Sequence, residues 1–232
     1  MDNILFLHIP KTAGTYVESY IRNTVLKNSK KHIPKSQAPN FHWSDYSYEE
    51  LLRLKKVNNT FVTTHFFTPN NTLEENIYKP HTRAATAEES YDLFLQFKKQ
   101  GWFVFSFIRN PLDQLCSMYF YAKKNAQLKF VYYKPNESLD DFCKRYQIAF
   151  IPHYWRELDY IDEFNDVNFG YFLSKYFNFQ YQPMSNLNES GNKGYGYYLE
   201  RGEISSDTDE WLHKHPNYLT YLKIKSTRAV FV

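Results

Sequence analysis

Two short stretches of this sequence carry residue types suited to holding anions. The first is His8-Ile9-Pro10-Lys11-Thr12-Ala13-Gly14-Thr15, followed by Tyr16. A turn leading from an apolar run into a helix aims successive backbone N–H groups into one concavity, the helix N-terminus adds partial positive charge, and Lys11 adds a full one. The spacing is not that of a Walker A loop, G-x-x-x-x-G-K-[ST], because the lysine precedes the only glycine. The second stretch is Phe107-Ile108-Arg109-Asn110-Pro111, with Ser117 eight positions after the arginine. Where a nucleoside triphosphate kinase would place a Mg²⁺-holding carboxylate, this strand end delivers a guanidinium, which binds an anion directly. Asn110, Gln114, Ser117 and Tyr121 recur at intervals of three or four, so one helix face is polar and can bring the Ser117 hydroxyl toward what Arg109 holds. Each stretch also has a purely structural alternative: a strand-to-helix turn that favours Pro, Lys and Gly, and a solvated helix face whose arginine pairs with a carboxylate.

The elements that must position these residues follow from periodicity. Ile4 to Ile9 is a compact apolar run, read as a buried strand, and Val17, Tyr20, Ile21, Thr24 and Val25 have helical period from Thr15 onward. Lys27 to Asn40 is polar and basic with Pro34 and Pro39, and reads as an irregular surface excursion. Ser47 with Glu50 forms a capping box opening a short helix, which leads to a strand from Thr60 to Thr64 with His65 just beyond its end. Thr86 with Glu89 opens a helix that runs to about Gln100 and stops at Gly101. Trp102 to Ile108 is almost continuously apolar, as a central strand covered on both faces would be. Asn110 caps the next helix and Pro111 takes its first position. Ser138 and Asp141 begin another helix, Leu158 to Ile161 a last strand, and Asp166 to Phe177 a last regular helix. Four of the seven glycines lie between Gly191 and Gly202, which reads as a mobile loop able to close over a ligand, and Pro216 interrupts a possible terminal helix. Strands alternating with helices imply a three-layer α/β/α arrangement around a central parallel sheet, as one domain over residues 1–232.

Composition limits the partners. With 232 residues and 43% apolar content the chain can bury a sizeable core. A net charge of +3 is too small to propose nucleic acid or a membrane surface as the partner, so any electrostatic function is local. Cys116 and Cys143 are too few for a disulfide scaffold and lack metal-ligand spacing, and no zinc site is expected. No apolar run reaches the roughly 20 residues of a membrane span, so a cytoplasmic protein is expected. Oligomeric state is not readable from the sequence.

In a parallel α/β sheet, ligands bind outside the carboxyl ends of the strands, and both anion stretches belong at that edge. Two anion sites on one edge imply a ligand with two anionic groups. In these residues the sequence resembles the sulfotransferases that use 3′-phosphoadenosine-5′-phosphosulfate (PAPS), in particular the carbohydrate branch containing the heparan sulfate 2-O-sulfotransferases and their bacterial relatives. His8 through Thr15 looks like the 5′-phosphosulfate loop, and Arg109-Asn110-Pro111 with Ser117 and Tyr119 like the 3′-phosphate motif. His81 through Ala87, Asp159 through Phe164 and Asn186 to Ser190 resemble further segments of the family, so the likeness covers residues 3–200 in order. Gln114 departs from it, standing where an arginine is common, and the last thirty or so residues match nothing in the pattern.

The resemblance implies a P-loop-kinase-like sulfotransferase fold in which Lys11 meets the 5′-phosphosulfate and bridging oxygen, aided by Thr12, Ala13, Gly14, Thr15 and Tyr16. Arg109 and Ser117 would hold the 3′-phosphate, with Lys193 and Gly194 as a covering basic loop. No metal is required, since fixed lysine and amide donors suffice for a transferring sulfuryl group, which carries less charge than a phosphoryl group. An acceptor hydroxyl, expected on a glycan, must lose a proton, and His65 at the end of its strand is placed to take it; Thr64-His65-Phe66-Phe67 resembles the family's Gly-His segment with threonine for glycine. His8 and His42 are the reserve candidates. Lys27, Lys30, Lys31, His32 and Lys35 form a basic patch that fits either an anionic glycan or a solvated face. Two rival functions stay open: a P-loop-type phosphotransferase using ATP, and a non-catalytic nucleotide- or glycan-binding relative.

Overall fold

A computed structural model describes residues 3–9, 11–27, 29–33, 58–64, 87–125, 134–145, 151, 154–183 and 193–228. Five strands form one sheet: β1 (Ile4–Leu7), β2 (Lys31–Ile33), β3 (Thr60–Thr64), β4 (Phe103–Ile108) and β5 (Tyr160–Glu163), in the spatial order β2-β3-β1-β4-β5. The pairings of β1 with β3, β1 with β4 and β2 with β3 are all parallel, with Leu7 opposite Thr64 on one side and Ser106 on the other. The helices are α1 (Gly14–Tyr20), α2 (Ala87–Lys99), α3 (Pro111–Lys124), α4 (Leu139–Arg145), α5 (Asp166–Phe177), α6 (Tyr195–Glu200), α7 (Ser206–Lys214) and α8 (Pro216–Arg228). The fold class is therefore α/β with a parallel sheet and helices, compatible with three layers. Among the described residues no helix is long and apolar enough to cross a membrane.

The elements form for local reasons. All four residues of β1 are buried, and Val104 through Ile108 in β4 are buried too, which a strand covered on both faces demands. Gly101 at φ +78° ends α2 in a left-handed turn: its N–H donates to the Lys98 carbonyl and that of Trp102 to Phe97, so the last carbonyls of the helix are satisfied. Asn110 caps α3 by accepting from the Leu112 N–H at 3.0 Å, with Pro111 at the first helical position. Ser138 does the same for α4 through the Asp141 N–H, and Asn165 for α5 through the Asn168 N–H at 2.8 Å.

Several expectations require correction. Within the supposed surface excursion, Lys31–Ile33 is a strand at the end of the sheet; lysines and a nearby proline suit an edge, which is why the pattern read as loop. The last strand runs two residues later than expected because Trp155–Glu157 forms a tight helical turn that Leu158 closes. α5 is not the last regular helix, since α6, α7 and α8 follow, with Pro216 opening α8 rather than breaking a helix. Residues 195–200, read as a loop from their glycines, are helical: Tyr195 and Tyr198 are buried three apart on one face, which offsets Gly196 within the helix, a cost of about 1 kcal/mol. The capping box at Ser47, Thr86, the segments at 81–86 and 186–190, and His42 and His65 lie outside the described residues.

The chain divides into two compact units, Met1–Phe107 with Pro152–Ile161 and Ile108–Ile151 with Asp162–Val232. In the first, Phe6, Phe61, Phe94, Phe97, Trp102 and Phe105 are fully buried. Asp159 supports its β4 side, accepting from the Val104 N–H at 2.7 Å and pairing with Lys98. In the second, Phe142, Phe169, Phe172 and Leu212 are buried, and Asp140 joins α4 to α7 by accepting from the Ser205 N–H at 2.8 Å.

Candidate functional site

In the first unit the segment between β1 and α1 is shaped by its backbone. Lys11 and Ala13 take left-handed conformations, at φ 65° and 61°, which cost non-glycine residues roughly 1–2 kcal/mol each and persist only where the surroundings impose them. Alternating left-handed residues of this kind turn neighbouring N–H groups to one side, the arrangement that binds anions. Thr12 is buried, and its hydroxyl donates to the Ile9 carbonyl at 2.7 Å, which pins the turn and leaves its backbone N–H as its contribution to any ligand. Ala13 opens α1 with no side-chain cap, and its carbonyl accepts the first helical bond from the Val17 N–H at 3.0 Å. Thr15 is exposed, and Tyr16 is half-buried, stacked on Tyr20 with ring centroids 5.9 Å apart.

Gly14 is where this turn is tightest. A Cβ there would fall 1.7 Å from Cδ2 of His8, whose buried ring is itself stacked on Phe6 at 5.8 Å. Only a glycine lets the imidazole lie against the start of the helix. His8 is thus a packed residue that forms the floor of the turn, and its reserve candidacy as a base is the weaker for it.

In the second unit the start of α3 collects three stretches of sequence. Arg109 is partly buried, and among the described residues no carboxylate pairs with its guanidinium. The solvated-face alternative for α3 does not hold, since Gln114 is 2% exposed and Ser117 4% exposed. Asp113, one turn into the helix, accepts from the Tyr195 N–H at 2.7 Å, and a Cβ on Gly194 would lie 3.2 Å from the same oxygen. The Lys193-Gly194 segment is thereby tied to Asp113 in the first turn of α3, with Arg109 just before the Asn110 cap, Ser117 one turn further along, and Lys193 and Gly194 both exposed. Asp113 and Tyr195 escaped the sequence reading; the available signal was an acidic side chain in the first turn of a helix, a position that also lets it accept from a second helix's N-terminus.

Two nearby groups serve structure. The Tyr119 hydroxyl donates to the Glu137 carbonyl at 2.9 Å, and its ring lies edge-on to Phe142, so this member of the expected motif anchors α3 to the turn before α4. Cys116 is pushed up to about 12 by burial first and the Asp113 carboxylate second, with Arg109 opposing, so its thiol stays protonated and unreactive at neutral pH. His65 lies outside the described residues, and no geometry bears on it. Compared with known proteins, the chain matches no family model, no curated protein and no solved structure.

Proposed function

We propose that this chain is a PAPS-dependent sulfotransferase of P-loop-kinase-like fold that moves a sulfuryl group to a hydroxyl of a carbohydrate. The donor supplies the sulfuryl group and a leaving bisphosphate. Lys11, with the N–H groups of the left-handed turn, stabilises charge that builds on the leaving phosphate as the bridging S–O bond breaks. Arg109 and Ser117 hold the 3′-phosphate, and Lys193 covers it. His65 takes the proton that the acceptor hydroxyl gives up as its oxygen bonds to sulfur.

The observation that carries this reading is the start of α3: Arg109, which no carboxylate among the described residues pairs, precedes a helix that carries the buried Ser117 and whose Asp113 holds the Lys193-Gly194 segment. A guanidinium in such a setting favours a bidentate oxyanion such as phosphate. Support for the other half comes from the parallel pairing of β1 with β4, Leu7 opposite Ser106: Lys11 comes four residues after Leu7 and Arg109 three after Ser106. The test is transfer of labelled sulfate from PAPS to a panel of oligosaccharides. Transfer that falls by two orders of magnitude or more in Lys11→Ala supports the assignment. Mg²⁺-dependent turnover of ATP with none of PAPS would replace it with the phosphotransferase.

A further inference from the structure

The second unit contains a cleft of about 500 Å³ that none of the nucleotide residues line, a volume within the roughly 300–1,000 Å³ of small-molecule sites. It runs along the outer face of α5, and the segment after that helix closes its other side. Asn178 at φ 50° turns the chain back, and Tyr181 returns against Gly170, where even an added Cβ would meet the ring only at 3.5 Å. The Tyr181 hydroxyl donates to Asp166 at 2.7 Å and its ring lies edge-on to Phe169 at 5.1 Å, so the returning segment is fixed at both ends of the tyrosine. Asp166, Ser174 and Gln180 supply polar groups to the cleft, and Val167 and Tyr171 supply apolar surface, being 80% and 50% exposed.

We infer that this cleft binds a neutral pyranose sugar. A sugar ring has an apolar C–H face and a rim of hydroxyls that both donate and accept. Tyr171, Tyr181 and Val167 match the face, and a carboxylate, a hydroxyl and two amides, those of Asn178 and Gln180, match the rim. Among the described residues the only charged side chain lining the cleft is Asp166, which disfavours a sulfated or uronic acid ring. Lys175 is outside the lining; its ammonium donates to the Tyr171 hydroxyl at 3.1 Å and stands 5.3 Å from that ring's centroid, which leaves the other face of the ring to a sugar. The Phe164 N–H donates to the Ile108 carbonyl at 2.8 Å, so Arg109 and the Asn165 cap of α5 leave adjacent strand ends. That the bound sugar is the acceptor's anchor rests on the sulfotransferase reading; that the cleft binds sugar does not.

The experiment is saturation-transfer NMR on the full chain without nucleotide, with cellotriose, maltotriose and a heparin-derived tetrasaccharide as probes. Transfer to a neutral trisaccharide is expected, reduced at least tenfold in affinity by Tyr171→Ala and by Ser174→Tyr, which fills the cleft while keeping the Tyr171 ring. Circular dichroism of both variants checks that they fold. Binding of the heparin fragment in preference to the neutral sugars, transfer to no sugar, or equal transfer in both folded variants overturns the inference. Because nucleotide is absent, a failure here is distinct from a failure to bind the bisphosphate.

Discussion

The turn from β1 into α1 and the turn from β4 into α3 begin alike, each leaving a buried strand of the parallel sheet to enter a helix, but they are held differently. The first is held by backbone: two left-handed non-glycine residues, a hydroxyl returned to the Ile9 carbonyl, and an imidazole pressed against a helix start that has no room for a methyl group. The second is held by side chains: Asn110 capping its own helix, Asp113 reaching the N–H of Tyr195, and Gln114 and Ser117 buried on the helix. The contrast teaches that a strand-to-helix turn can be fixed by steric necessity or by a set of replaceable hydrogen bonds. The two kinds should fail differently under mutation and under acid.

The largest effect is expected at Gly14. Gly14→Ala forces a methyl into the His8 ring, so unfolding stability should drop by about 3 kcal/mol or more and nucleotide binding should be lost. His8→Ala added to it should restore a substantial part of both. Denaturant titration of the single and double variants checks this, and a Gly14→Ala protein of unchanged midpoint would show that the turn is not sterically fixed.

Arg109→Ala should separate binding from folding. Losing a charge-assisted hydrogen-bond donor should weaken adenosine 3′,5′-bisphosphate about 10- to 100-fold by calorimetry. With no carboxylate partner to orphan among the described residues, stability should change by no more than about 0.5 kcal/mol. Next in size is Asp113→Ala, which removes the acceptor at the start of α6 and should cost about 1 kcal/mol. Faster hydrogen exchange of the Tyr195 amide would identify the cause, and an unchanged rate would mean that Asp113 does not hold the Lys193-Gly194 segment.

The smallest effect concerns acid. Burial tends to raise the Asp140 carboxyl, but Lys144, the Ser205 N–H and the hydroxyls of Thr208 and Ser205 outweigh it and hold the group well below the usual carboxylate range. A carboxyl whose folded value lies below its unfolded value of about 3.9 stabilises fully above that pH and progressively less as the pH falls toward the folded value. Between pH 4 and 2 the wild type should therefore lose on the order of 1 kcal/mol that Asp140→Asn does not lose, read from denaturant midpoints against pH. Equal slopes for the two proteins would remove Asp140 from the acid sensitivity of the second unit.

The sequence disclosed the parts whose signals are local. β1, β3 and β4, the Gly101 stop, the Asn110-Pro111 entry and the span of α5 all follow from patterns within a few residues. What it concealed depends on contacts between distant residues. Nothing near Tyr195 announces that Asp113 will accept its N–H, so a glycine-bearing segment read as loop folds as α6. Tyr119 looked like part of an anion motif because its role depends on Glu137, a partner eighteen residues away. The need for glycine at position 14 likewise arises from His8 across the turn, although both residues stood within the stretch that first drew attention.

Under the proposed function Arg109 reads the 3′-phosphate of a nucleotide whose other end meets Lys11. Titrating adenosine 3′,5′-bisphosphate and adenosine 5′-monophosphate into wild type, Arg109→Ala and Lys11→Ala tests it directly. Wild type should prefer the bisphosphate at least tenfold, Arg109→Ala should bind both ligands equally, and Lys11→Ala should bind both more weakly while keeping the preference. A preference for the 3′-phosphate that survives in Arg109→Ala would contradict the account.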